Sequence, residues 1–99
     1  MPRLTVFWDH PPVETPRPIA FLTIIQNSPP VDKPRLVNAL PFPPGRELKF
    51  KVNPGTYQIV VDAQTRGVTA WKVIITPEGG EAVELPGNGS MTVQTVISL

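Results

Sequence analysis

The chain has 99 residues, a formal net charge of +1 and nine basic residues that never stand three in a row, so it lacks an electrostatic handle for nucleic acid or an anionic membrane. Cysteine is absent, which removes disulfides, thiolate metal sites and a thiol nucleophile. The longest apolar run, residues 19–25, is broken by Thr23 and is far too short to span a bilayer.

What remains is a chain with 40% apolar residues, enough for one core in a single domain spanning 1–99. Asp9 and His10 follow the start before any apolar h-region develops, so no secretory signal is visible. A cytoplasmic protein, or a component of an intracellularly assembled particle, is expected. Proline is the outlier: there are 14, twelve of them at or before Pro54, against an ordinary share of about 5%. The segments between them are strand-like, so the prolines read as rigid corners and edge punctuation.

Residues 3–8 form the first predicted strand, with Leu4, Val6 and Trp8 on one face and Thr5 and Phe7 on the other. Residues 9–18 are a proline-rich connection or arm, because Pro11, Pro12, Pro16 and Pro18 forbid helix and favour an extended course. Residues 19–26 are the second strand, apolar on both faces: Ile19, Phe21 and Ile25 against Ala20, Leu22 and Ile24. Such a strand is central, or its outer face is covered by the arm or another subunit. Asn27-Ser28-Pro29-Pro30 closes it, and a short third strand follows over 35–40. Pro41-Phe42-Pro43-Pro44-Gly45 then turns the chain, with Phe42 expected to pack over one end of the domain.

The stretch 46–76 organises the rest. Leu48, Phe50 and Val52 alternate with Lys49 and Lys51; Tyr57, Ile59 and Val61 share a face after the turn; Trp71, Val73 and Ile75 repeat the pattern. This reads as a strand meander. Pro54 presets the second turn position and Gly55 supplies the third, a type II signature that fits a tight hairpin less well than the primed turns do, so a longer loop or splayed strands are expected. Pro77-Glu78-Gly79-Gly80 separates the 68–76 strand from a shorter one over 81–85, and Pro86-Gly87-Asn88-Gly89 reads as a further turn. The last strand places Met91, Val93, Thr95, Ile97 and Leu99 on one face and Thr92, Gln94, Val96 and Ser98 on the other. The expected fold is all-β: a single Greek-key β-sandwich of seven to eight mostly antiparallel strands with proline-rich connections.

The run Leu48-Lys-Phe-Lys-Val-Asn-Pro-Gly-Thr-Tyr-Gln-Ile-Val-Val61 resembles the strand–Pro-Gly-x-Tyr–strand signature of carboxypeptidase regulatory-like domains, within the wider transthyretin-like (prealbumin-like) group. The resemblance covers the C-terminal half only. It implies a Greek-key sandwich that is usually non-enzymatic and serves as an accessory, spacer or adhesion module. Two features depart from the pattern. Arg66-Gly67-Val68 stands where a Gly-Tyr pair often follows the second strand, and the strand over 90–99 extends beyond the pattern's end.

Candidates for chemistry are few. His10 is the single histidine; with Asp9 and Glu14 it is the one acid–base or partial metal grouping, and neighbours on a strand point to opposite faces. Ser28, Ser90 and Ser98 have no base nearby in sequence, and Glu78, Glu81 and Glu84 occupy a turn and an outer face. No enzyme, cofactor or metal is therefore expected. Asn88-Gly89-Ser90 spells a glycosylation acceptor but reads as a turn. Trp8, Tyr57 and Trp71 are the candidate sugar platform, although each lies on the apolar phase of its strand. The leading expectation is a structural or adaptor module acting through protein–protein contacts, by self-association or in a larger particle or virion. Its candidate interface is Phe7, Leu22, Ile24 and Val96; carbohydrate binding is the alternative.

Overall fold

The computed structural model of the chain describes residues 2–11, 18–26, 35–65 and 69–99. Among them are eight strands and no helix: β1 (Arg3–Asp9), β2 (Ile19–Gln26), β3 (Arg35–Pro41), β4 (Glu47–Lys51), β5 (Thr56–Gln64), β6 (Ala70–Pro77), β7 (Val83–Asn88) and β8 (Met91–Ser98). They form two four-stranded antiparallel sheets, the first ordered β4-β1-β6-β7 and the second β3-β2-β5-β8. The expected all-β sandwich is the observed fold. Around the sandwich, β2, β3 and β4 follow one another and β1 returns beside β4. In the same way β6, β7 and β8 follow one another and β5 returns beside β8, so each set of four is a Greek key.

The two-residue alternation decides which side chains enter the core. Leu4, Val6 and Trp8 of β1 are buried, as are Ala20, Leu22 and Ile24 of β2, Tyr57, Ile59, Val61 and Ala63 of β5, and Trp71, Val73 and Ile75 of β6. Each large aliphatic side chain removed from water contributes roughly 1.5–3 kcal/mol, so slipping any strand by one residue would expose its whole inward set. Phe42 is buried at one end, its N–H bonded to the Ala20 carbonyl at 2.8 Å. That is where the sequence places it.

Residues 46–76 are not a meander. β4 belongs to the first sheet, β5 to the second and β6 to the first again. Both connections between them change sheets. At the first, Gly55 takes φ 159° in place of the φ of about +80° of a type II turn and exchanges both backbone bonds with Leu99, so the chain runs on extended beside β8 and does not fold back on β4. A hydrogen bond from the Tyr57 hydroxyl to the Asn53 carbonyl latches this corner, a tyrosine-corner device of sandwich folds. Turn residues 27–30 and the Arg66-Gly67-Val68 segment lie outside the described residues, as do 12–17 of the proline-rich connection.

The predicted turn at Pro86-Gly87-Asn88-Gly89 is largely strand: Pro86 and Gly87 lie within β7. Two physical reasons account for this. β7 is an edge strand, where the missing proline N–H need not be supplied to a neighbour. Opposite Gly87 stands Trp71, and a Cβ on Gly87 would lie 2.3 Å from the indole Cη2. The corner itself is Gly89-Ser90. Gly89 takes φ 64°, its carbonyl accepts the Trp71 indole N–H at 3.0 Å, and the Ser90 hydroxyl is bonded to both the N–H and the carbonyl of Thr65. At Pro77-Glu78-Gly79-Gly80 the turn is as expected, with Gly79 at φ 75° and the Gly80 N–H donating to the Pro77 carbonyl at 3.1 Å.

Candidate functional site

The aromatic cluster is structural. Trp8 lies at its centre, edge-to-face with Trp71 at 5.8 Å and with His10 at 5.3 Å, and tilted against Phe42 at 6.2 Å. Trp8 and Tyr57 are fully buried and Trp71 nearly so, so none offers a flat exposed surface. This corrects the sugar platform of Trp8, Tyr57 and Trp71: their apolar phase is the inward phase, and the core uses all three rings.

The acid–base candidates do not gather. Asp9 is exposed on the outer face of the first sheet, opposite Lys72, while His10 is buried at the sandwich end with 9% exposure. Glu14 lies outside the described residues. His10 Nδ1 sits 2.7 Å from the Pro11 carbonyl, which can only accept, so Nδ1 carries a proton, and Nε2 has no partner among the described residues. A cavity of about 520 Å³ opens at this end, walled by His10, Pro11, Pro18, Ile19, Phe42 and Pro43 among others. His10 is the only ionisable side chain among the described residues of its wall. The described part of this wall offers packing surface and the His10 ring, with no nucleophile or second titrating group among its described residues.

Other polar candidates are engaged in holding the fold. Glu78 accepts the Arg3 N–H at 2.7 Å, Glu84 pairs with Lys72 at 3.1 Å, and Ser98 lies 3.5 Å from the Thr56 hydroxyl. Among the described residues no three His, Cys, Asp or Glu side chains form a metal-holding group, and no helix is long and apolar enough to cross a membrane.

The outer faces of the two sheets differ in kind. On the first, one row reads Glu47, Phe7, Ile74, Glu84, so the two half-buried apolar residues are bracketed by carboxylates. Lys49, Lys51, Arg3 and Lys72 complete a charged surface. On the second, the rows across β3-β2-β5-β8 read Leu36, Ile25, Gln58, Val96; then Ala39, Thr23, Val60, Gln94; then Pro41, Phe21, Asp62, Thr92. The β3–β2 half is apolar and open to solvent: Ile19 is 66% exposed, Leu36 61% and Phe21 45%. The β5–β8 half is more polar and internally bonded, with Gln58 Nε2 donating to Gln94 Oε1 at 2.7 Å and the Thr92 hydroxyl to Asp62 at 3.2 Å; Val96, 60% exposed, and the half-buried Val60 are its apolar exceptions.

The four interface candidates therefore divide. Val96 is on the open face of the second sheet and Phe7 is half-buried on the charged face of the first. Leu22 and Ile24 are fully buried and cannot be interface residues. The apolar surface of β2 belongs to the opposite phase, Ile19, Phe21 and Ile25. The sequence signal for this is weak: Thr23 marks the outward phase in mid-strand, but Gln26 at the strand end falls in the other. Leu36 had no comparable signal, because a bulge between Ile24 and Ile25 resets its register. Set against family models, curated proteins and solved structures, the chain has no match in any of the three.

Proposed function

We propose that this domain is a non-catalytic structural or adaptor module that works by holding another protein chain, a second copy in the first instance, against the outer face of its second sheet. The observation that carries the reading is the open apolar half formed by β2 and β3, where Ile19, Phe21 and Leu36 stand in solvent. Scattered apolar residues are ordinary on a protein surface, but a contiguous patch bordered by polar residues is the usual mark of an association site. The hydrogen-bonded polar half on β5 and β8 supplies such a border on one side. The resemblance of residues 48–61 to carboxypeptidase regulatory-like domains points the same way, toward an accessory or adhesion role. A repeated component of a particle is one setting that suits such a module.

Light scattering over a concentration series tests the reading. The wild-type chain is expected to gain apparent mass with concentration, and the Phe21→Ser/Leu36→Ser double variant to lose that gain while keeping its fold. A wild-type chain of constant monomer mass would remove the self-association, and a double variant that associates unchanged would remove this face.

A further inference from the structure

Asn88-Gly89-Ser90, at the corner between β7 and β8, is a chemically weak point in the chain. An asparagine carboxamide followed by glycine can be attacked by its own backbone, because glycine has no Cβ to crowd the approaching nitrogen. Of the four asparagines, Asn27 precedes Ser28, Asn38 precedes Ala39, and Asn53 precedes Pro54, whose nitrogen carries no proton to lose. Asn88 alone is followed by glycine, and it is exposed.

The fold opposes that attack. Ring closure needs the Gly89 nitrogen to swing toward the Asn88 Cβ about the Cα–C bond, whereas Asn88 ends β7 with an extended backbone that holds the nitrogen away. Turning that bond turns the whole Asn88–Gly89 peptide, and the Gly89 N–H is already engaged, donating to the Thr69 carbonyl at 3.0 Å. The next peptide is fixed as well. The Gly89 carbonyl accepts the buried Trp71 indole N–H at 3.0 Å, and the Ser90 hydroxyl is bonded to the N–H and the carbonyl of Thr65 at 2.9 and 3.0 Å. Gly89 is itself buried and holds φ 64°. The pair is open to water at its carboxamide and pinned at its nitrogen.

We infer that Asn88 is a self-modification site whose rate is set by the opening of this corner. When the Thr69 bond opens, the Gly89 nitrogen attacks Asn88 Cγ, its proton passes to solvent, and the Cγ–Nδ2 bond breaks with loss of ammonia. Water then opens the resulting succinimide at either ring carbonyl, leaving an aspartyl or an iso-aspartyl linkage at this position. Nothing is oxidised or reduced, and water is the one co-reactant.

Either product adds a carboxylate, which cancels the formal net charge of +1. The iso-aspartyl form also inserts a methylene into the main chain between β7 and β8. That displaces the Gly89 carbonyl from the Trp71 indole and leaves a buried donor unpaired, which is costly. Among the described residues β7 pairs within its sheet with β6 alone, so the lengthened corner loosens an edge of the first sheet. The change is one-way and accumulates with every opening of the corner.

Peptide mass mapping of the full chain, incubated folded and in urea at the same mildly alkaline pH, tests the inference. In urea, conversion is expected at Asn88 ahead of Asn27 and Asn38. In the folded chain it should run at least about tenfold more slowly, since only the locally open fraction reacts. Ser90→Ala removes both Thr65 bonds at an exposed position and should raise the ratio of folded to urea rates several-fold, by more than its loss of global stability accounts for. Exchange of the Gly89 amide, read by NMR, should quicken by the same factor, because both processes need the Thr69 bond open. Equal rates folded and in urea, earlier conversion at another asparagine in urea, or a Ser90→Ala chain with the wild-type ratio would overturn the inference.

Discussion

The two outer faces of the sandwich are built from strands of the same period and yet are chemically opposite. On the first sheet the outward positions are filled by Glu47, Lys49, Lys51, Lys72 and Glu84, and the apolar pair Phe7 and Ile74 is flanked by glutamates. On the second sheet Ile19, Phe21 and Leu36 occupy equivalent positions and remain open. Alternation alone makes a sandwich from either. What fills the outward phase decides whether a face is charged or leaves apolar side chains in solvent.

The largest expected effect sharpens the contrast between phases within one strand. Leu22→Ala empties a fully buried site and should destabilise the fold by about 2–5 kcal/mol in denaturant melts. Phe21→Ser, one residue away and exposed, should change stability by no more than about 0.5 kcal/mol while acting on association. Equal stability losses at the two positions would erase the distinction between the faces. At the closed edge of the first sheet, Gly87→Val would drive a side chain into the Trp71 indole, with an expected loss of about 1–3 kcal/mol and a changed tryptophan emission.

A smaller effect lies at the corner where the chain passes from the first sheet to the second. Tyr57→Phe deletes the bond to the Asn53 carbonyl, with an expected loss of about 0.5–1.5 kcal/mol. Burial holds the Tyr57 phenol above its ordinary value near 10.0. A group whose folded-state pKa is raised contributes fully below its unfolded value and loses that contribution as pH climbs through the folded one. Stability should therefore fall above about pH 10, and Tyr57→Phe should flatten that limb. The smallest effect is on the charged face, where Lys72→Ala removes an exposed pair with Glu84 and should cost at most about 1 kcal/mol in the same melts. A larger loss would mean that this face is more than a solvated surface.

Much of this architecture was legible in the alternation. Ala20, Leu22 and Ile24 were grouped correctly on one phase and Ile19, Phe21 and Ile25 on the other, and β1, β5 and β8 show the phases their residues imply. Periodicity states which side chains share a face, but in a strand apolar on both sides it does not state which face is inward. Periodicity therefore leaves Leu22 and Ile24 as interface candidates, and their burial assigns them to the core. Sheet membership is a long-range property. The 46–76 strands are consecutive in sequence and alternate between sheets, which no local pattern records. Pro86 and Gly87 carry ordinary turn signals that are overridden by an edge position and by the volume of Trp71.

The proposed role sets the second sheet's outer face against a partner and the first sheet's against water. NMR chemical shifts followed over a concentration series test it directly. Resonances of Ile19, Phe21, Leu36 and Val96 are expected to move as concentration rises while those of Lys49, Lys51 and Glu84 stay fixed. Shifts confined to the first sheet, or none on either face, would contradict it.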